Sequence, residues 1–286
     1  MTALEIKDLS HVYSPGSVFE HRAVESVSLK IAPGEMVAII GHTGSGKSTL
    51  IQHLNGLLKP TAGQVLLNGE DIHEDKAMLG PVRQRVGLVF QYPEHQLFES
   101  TVYKDVAFGP MRMGLPEDEV AERVRQALGM VGIKETLYDK SPFEISGGQK
   151  RRVAIAGVLA MAPEVLVLDE PAAGLDPAGK EEILSRIAHM HAALGITVVL
   201  VSHSMDDVAR LAKRIFVMGG GRLLCEGTPQ QVFAQGDMLK SVGLDVPQVS
   251  RVFAALHKKN PRIPAGVFSV AEGVRVIADI YKGRDS

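Results

Sequence analysis

The sequence predicts an α/β fold whose core is a mostly parallel sheet covered by helices on both faces. Short, fully apolar runs of strand length alternate with longer helical patterns, the arrangement that buries strands between two helix layers. One such run, Met36-Val37-Ala38-Ile39-Ile40, feeds directly into a glycine-rich loop that opens a helix. Another, Val165-Leu166-Val167-Leu168, ends in Asp169-Glu170, at the strand end where ligands of open α/β sheets sit.

Ahead of this core, Leu4 to Leu9 reads as a strand, and Val27-Ser28-Leu29-Lys30-Ile31 alternates with period two. Pro33-Gly34 is a turn into the first buried run. From Lys47 the pattern is helical through Leu54, closed by Gly56 and Pro60. Val65-Leu66-Leu67 reads as a strand with Asn68-Gly69 as its turn, and Val86 to Phe90 as a further buried strand. The character then changes. Gln91 to Gly114 is rich in aromatics, proline and glycine, and Glu117 to Val131 is an amphipathic helix, so residues 92–150 are expected to form a helical insertion. Beyond Glu170, Asp176 is an N-cap and Pro177 opens a helix. Thr197 to Val201 is the next strand, and Gly219-Gly220-Gly221 a turn. From residue 236 a small mixed tail is broken by Pro247, Pro261 and Pro264, which divides the chain into a domain at 1–235 and a C-terminal extension at 236–286.

Composition sets outer bounds. The chain has 286 residues and a mass of 30.8 kDa, enough for an independent core. Its net charge of −2 argues against a dedicated nucleic-acid binder, which usually carries a basic domain. Cys225 is the single cysteine, so a reducing compartment is the natural expectation. No apolar run has bilayer-spanning length and Met1 to Asp8 does not read as a signal peptide, so any work at a membrane is expected to need a partner.

The chemistry is concentrated in a few places. Gly41-His42-Thr43-Gly44-Ser45-Gly46-Lys47-Ser48 is a phosphate loop in its confirming context, after a strand and opening a helix, and Thr49 continues it. Glycines at 41, 44 and 46 are expected to let backbone N–H groups face phosphates without a clashing Cβ. Lys47 would reach the β- and γ-phosphates, Ser48 would ligate Mg²⁺, and the helix end adds its dipole. Asp169 suits the same Mg²⁺, while Glu170, pointing elsewhere, suits a base that polarises the attacking water. A second anion site is expected where Ser146-Gly147-Gly148-Gln149 precedes a helix from Lys150 onward. His189 and His191 cannot pair on a metal, because residues two apart on a helix face different ways.

These motifs, in this order, resemble the ATP-binding-cassette (ABC) ATPases. The resemblance implies a P-loop core with an N-terminal antiparallel β section, and two cassettes that close face to face over ATP. It assigns Ile145-Ser146-Gly147-Gly148-Gln149 to the signature that serves the partner's ATP, with Ile where Leu is commoner. It further assigns Gly174-Leu175-Asp176-Pro177 to the D-loop, so that Asp176 joins the nucleotide site, His203 to the switch histidine, and Gln91 to a glutamine that serves both catalysis and Mg²⁺. Tyr13 is the candidate ring for stacking on adenine.

Phe90-Gln91-Tyr92-Pro93-Glu94-His95-Gln96-Leu97-Phe98, Val106-Ala107-Phe108-Gly109-Pro110 and Gln149-Lys150-Arg151-Arg152-Val153 resemble more narrowly the ATPases of energy-coupling-factor (ECF) importers, of the second ATPase type. Ala172 stands where that family often has Thr. The resemblance implies ATP hydrolysis that drives uptake of vitamins or transition-metal ions, at the cytoplasmic face of the cell membrane. The implied partners are a second ABC ATPase, identical or different, a membrane coupling protein and an exchangeable substrate-binding membrane subunit. The segment after Gln91 would receive the coupling protein, with Glu94 and His95 expected as exposed positions, and the extension at 236–286 would serve dimerisation. A conventional ABC importer ATPase is the near alternative. A repair ATPase would need a long coiled coil between phosphate loop and signature, and no sustained heptads occur there. A translation factor would usually carry two cassettes, and a small-molecule kinase has no use for Ser146-Gly147-Gly148-Gln149.

Overall fold

In the computed structural model, which describes residues 2–282, the chain builds two sheets that share one apolar layer. The N-terminal section gives β1 (Leu4–Tyr13) and β2 (His21–Ile31), then β3 (Met36–Ile40) and α1 (Lys47–Leu54). Next come β4 (Ala62–Leu67), β5 (Glu70–Asp71), α2 (Leu79–Arg85) and β6 (Val86–Val89). A helical section follows: α3 (Val102–Arg112), α4 (Glu117–Met130) and α5 (Gly147–Leu159). The core resumes with β7 (Val165–Asp169), α6 (Pro177–Leu194), β8 (Thr197–Val201), α7 (Met205–Leu211), β9 (Arg214–Gly219) and β10 (Arg222–Gly227). The C-terminal part holds α8 (Pro229–Phe233), α9 (Gly236–Ser241), α10 (Gln248–Lys259) and α11 (Val270–Lys282).

The larger sheet runs β10-β9-β3-β8-β7-β6, parallel throughout except for the antiparallel edge strand β10. The smaller runs β2-β1-β4-β5 and is wholly antiparallel. Every residue of β3, β7 and β8 is buried, and the pleat splits each strand between two cores. Val37, Ile39, Val165, Val167, Val199 and Val201 face the layer shared with the smaller sheet and α1. Leu166, Leu168, Val198 and Leu200 face α3, α4, α5 and α6 instead. A third cluster joins Ala38 and Ile40 of β3 to Leu239, Leu244 and Phe268 beyond residue 236.

The strands β3 and β8 and the helix α1 match the sequence expectation to the residue, and β7 adds Asp169 to the expected run Val165–Leu168; the strands are short apolar runs, and α1 is a helical pattern closed by Gly56 and Pro60. Other elements differ. β1 and β2 run longer than expected, because bulges break their alternation: Lys7 and Asp8 are both exposed, and Asp8 and Ser26 take left-handed backbone with φ of 46° and 47°. β9 and β10, which flank the glycine turn, were not anticipated as strands. The tail is helical where a mixed one was expected. Its prolines bound helices: Pro247 precedes α10, and Pro261 and Pro264 lie in the connection to α11.

Under β1, a pair of histidines is sealed from water. His53 on α1 is fully buried; its Nδ1 lies 2.7 Å from the Thr49 carbonyl and its Nε2 3.1 Å from His11 Nδ1. Burial, aided by the neighbouring His11, pushes the imidazole pKa down to about 4. The folded chain therefore keeps His53 neutral while the unfolded chain protonates it below its ordinary value. Stability is complete above that ordinary value and falls as pH drops from 6.5 toward about 4. We predict a loss of at most about 3 kcal/mol across this window. Urea midpoints of the wild type and His53→Gln at several pH values check it: the variant should show a shallower acid slope, and identical slopes would refute the assignment.

Candidate active site

The phosphate loop runs from the end of β3 into α1, and its three glycines are needed for different reasons. At Gly44, φ is 82° and nothing approaches within 4 Å, so backbone conformation alone selects glycine. A Cβ on Gly41 would stand 2.4 Å from Ser45 Oγ and 2.5 Å from the Met218 carbonyl, and one on Gly46 2.5 Å from the Ala23 carbonyl. Packing of the loop against β9 and β2 thus requires glycine at both positions, and at Gly46 a φ of 97° requires it as well. Lys47 Nζ donates to the carbonyls of Gly41 (2.7 Å) and His42 (2.9 Å). Burial lowers the pKa of its ammonium, and the charges of Glu170 and Asp169 oppose that shift.

A cavity of about 820 Å³ opens over this loop. Gly41, His42, Thr43, Gly44, Gly46, Lys47, Ser48 and Thr49 line it, together with Tyr13, Gln91, Asp169, Glu170 and His203. Ser45 does not; it is fully buried beneath the loop. The Tyr13 ring stands half-exposed at one end, with its hydroxyl 3.3 Å from Thr49 Oγ1 and its edge against His11. Gly243, Leu244 and Asp245, from the C-terminal extension, also line the cavity. Nothing in the sequence pointed to them.

Asp169 and Glu170 diverge as expected, and the backbone shows how. Ser48 Oγ donates to Asp169 Oδ2 at 3.3 Å. Burial, reinforced by the Glu170 charge, holds the Asp169 carboxyl above the usual range; Ser48 and Lys47 offset only part of this. Two hard oxygen donors beside excess negative charge fit a divalent cation such as Mg²⁺. Glu170 continues the sheet by donating its N–H to the Val201 carbonyl at 2.9 Å, yet its φ is 50°. Left-handed backbone costs a non-glycine residue about 1–2 kcal/mol. It swings the carboxylate away from Asp169 until Oε1 lies 2.8 Å from His203 Nδ1. A carboxylate only accepts, so Nδ1 carries the hydrogen in this contact.

A second cavity, of about 340 Å³, lies beside the first, between the segment at Gln91-Tyr92 and the loop Pro171–Leu175. Gln91, Glu170 and His203 line both cavities and so stand at their junction.

The signature is not brought to this site. Ser146 caps α5: its Oγ accepts from the Gln149 N–H, and Gln149 Oε1 accepts from the Ser146 N–H. A Cβ on Gly147 or Gly148 would meet nothing within 4 Å, so the chain's own packing gives no reason for glycine there. Asp176 also lies outside both cavities, and its Oδ1 caps α6 by accepting from the Gly179 N–H at 2.9 Å. Glu94 corrects an expectation. It is not a free surface charge but accepts two bonds from the buried Arg151, whereas His95 is exposed as expected. Nothing in the run Lys150-Arg151-Arg152 after the signature signals that Arg151 turns inward to Glu94.

The comparisons with known proteins agree with this geometry. Residues 24–173 match the model of the ABC transporter family. The energy-coupling factor transporter ATP-binding protein EcfA2 of Clostridium tetani is 50% identical over 99% of this chain and 98% of its own length. EcfA2 of Symbiobacterium thermophilum is 54% identical over 96% of each. The solved structure of cbiO1 from Clostridium perfringens, described as part of the ABC transporter complex cbiONQ, is 43% identical and matches with a TM-score of 0.76, over 88% of this chain and 98% of that one. The dimeric cassette MJ0796, in a post-hydrolysis state bound to ADP and Pi, is 30% identical with a TM-score of 0.70, over 79% and 98%. The chain belongs to the ABC transporter ATPases and, within them, to the energy-coupling-factor transporter ATP-binding proteins.

Proposed function

We propose that this ATPase powers an energy-coupling-factor importer of vitamins or transition-metal ions, working at the cytoplasmic face of the membrane. Among the described residues no helix is long and apolar enough to cross a membrane. Attachment then falls to a membrane coupling protein, which in turn holds an exchangeable substrate-binding subunit. The observation that carries the reading is the placement of Gln91, Glu170 and His203 directly above a phosphate loop. The loop and Lys47 bind the triphosphate, and Tyr13 stacks on adenine. Ser48, Asp169 and Gln91 hold Mg²⁺, which when bound offsets charge on the phosphates. Glu170 accepts the proton of the attacking water, and His203 holds that carboxylate in place through its 2.8 Å contact. The open space over Gly147 and Gly148 suits the triphosphate of a second cassette, identical or different, with Asp176 near the same interface. The related cassette MJ0796 is dimeric in a post-hydrolysis state bound to ADP and Pi. Val270 and Val274, four residues apart on α11, are exposed apolar side chains and fit dimerisation through the extension.

The docking surface is placed at a groove of about 690 Å³ that Phe98, Phe108, Arg112 and Met113 help to line. Phe98 and Phe108 meet edge to face at 5.0 Å, and Asp105 fixes the segment by accepting from the N–H groups of Phe98 and Glu99. A largely apolar groove with two aromatic rings and the arginines Arg83 and Arg112 in its lining suits an amphipathic helix from the coupling protein.

Three outcomes test this reading. Glu170→Gln should bind MgATP and trap a two-cassette assembly while turnover falls at least about 10²-fold; near wild-type turnover would remove Glu170 from the base role. Lys47→Ala acts earlier, and affinity for a fluorescent ATP analogue should drop about tenfold or more. Unchanged affinity would contradict its place at the phosphates. Phe98→Asp and Arg112→Glu should leave hydrolysis by the isolated chain intact but abolish co-purification with the membrane subunits, since an unpaired charge at such a contact costs roughly 2–5 kcal/mol. Normal assembly in both variants would move the docking surface elsewhere.

A further inference from the structure

Arg151 heads the fully buried side chains by volume, at 1% exposure. A guanidinium removed from water must be satisfied at every face, and the partners of this one lie on two separate segments. Nε and Nη2 donate to the two carboxylate oxygens of Glu94, at 3.0 and 2.6 Å. Nη1 donates to the carbonyls of Pro171 (3.3 Å) and Ala173 (2.6 Å), and among the described residues neither carbonyl accepts from a backbone N–H. The guanidinium carbon also lies 5.9 Å from the centre of the Tyr92 ring. Burial would raise the Glu94 carboxyl, but the Arg151 hydrogen bonds, a backbone hydrogen bond and the Arg151 charge together hold the group below its usual value, so the pair stays charged.

We propose that Arg151 and Glu94 are positioning residues for hydrolysis: Glu94 aims Arg151, and Arg151 holds the loop after Glu170 by its carbonyls, which keeps the Glu170 carboxylate directed at the water site. The strained φ of 50° at Glu170 is what needs holding, because such backbone persists only where its surroundings over-determine it. The carbonyls that Arg151 grips lie one and three residues beyond it. Released from them, the loop relaxes toward ordinary backbone and the carboxylate turns from His203. The same grip ties the segment after Gln91 to the catalytic loop, so a displacement of Glu94 reaches Glu170 through one side chain. The bond pattern selects arginine, since a lysine could not serve a carboxylate and two carbonyls in one plane.

The inference rests on the reading of Glu170 as the base, and steady-state ATP hydrolysis by the full-length chain tests the two separately. Glu94→Gln keeps the shape of the pair, so it should fold, but the neutral amide loses the charge that aims Arg151 and so weakens its hold on the two carbonyls. It should lower kcat about three- to tenfold with KM for ATP unchanged, and Arg151→Met should lower kcat further, beyond about tenfold. Exchange of the pair, Glu94→Arg with Arg151→Glu, restores an ion pair but not a donor to Pro171 and Ala173, so it should not restore kcat. A pair that merely staples the core would shift Tm, leave kcat of the folded variants at the wild-type level, and be rescued by the exchange. Wild-type kcat in Glu94→Gln, or recovery in the exchanged protein, would overturn the proposal even where Arg151→Met fails to fold. If Glu170→Gln itself keeps turnover, the base assignment is what has failed.

Discussion

Parallel pairing of β3, β7 and β8 is the constraint on which the rest of the structure depends. Ile39 and Asp169 both register with Val201, so the residues just past these strands emerge on one edge of the sheet. The phosphate loop leaves β3, the acidic pair leaves β7, and Ser202-His203 leaves β8. Chemistry separated by more than a hundred residues in the chain is thereby assembled without a dedicated binding domain. A slip of one residue in β7 would exchange the two faces of that strand and send Asp169 away from Ser48. The complete burial of all three strands prevents this, since every slipped register would break two apolar layers at once.

On that edge, two adjacent carboxylates must take different tasks, and geometry separates them. Asp169 ends the strand in regular backbone and stays against Ser48. Glu170 keeps its sheet hydrogen bond to Val201 but turns left-handed, and its side chain leaves in another direction. Burial first, and then repulsion by the adjacent Glu170 charge, hold the Asp169 carboxyl above its ordinary range. A cation held there is favoured by the charge that the sheet concentrates. The twist at Glu170 is a local cost of about 1–2 kcal/mol, and it separates the Asp169 oxygens, proposed to hold the metal, from the Glu170 oxygens, proposed to accept the proton.

Much of this was legible in the sequence, and the boundary of legibility has a physical cause. Met36–Ile40 and Thr197–Val201 could be read to the residue and Val165–Asp169 to within one, because short apolar runs of strand length are bounded by clear changes of composition, and Lys47–Leu54 because Gly56 and Pro60 close its helical pattern. β1 could not be followed past Leu9, since register shifts between Leu9 and His11 and again between His11 and Val12 destroy the alternation on which the reading depends. The phosphate-loop glycines were found, but not their reasons: Gly41 and Gly46 answer to the carbonyls of Met218 and Ala23, which are remote in sequence. Glu94 looked like a free charge because its partner Arg151 lies 57 positions away. Motifs report local backbone demands well; partners brought together by folding leave no local trace.

The C-terminal extension shows the same limit from the other side. Its prolines gave the impression of broken structure, yet Leu239, Leu244 and Phe268 join Ala38 and Ile40 of the central strand in one cluster. Gly243, Leu244 and Asp245 form part of the wall of the larger cavity, and Asp206, on the helix after His203, accepts from the Gln248 N–H at 3.0 Å. The extension is therefore anchored to both elements that bracket the nucleotide site, the phosphate loop through the cavity wall and α7 through Asp206. Interiors as dense as organic crystals transmit small shifts instead of absorbing them. Through the Asp206–Gln248 bond, the start of α10 is thus held to the helix that follows His203.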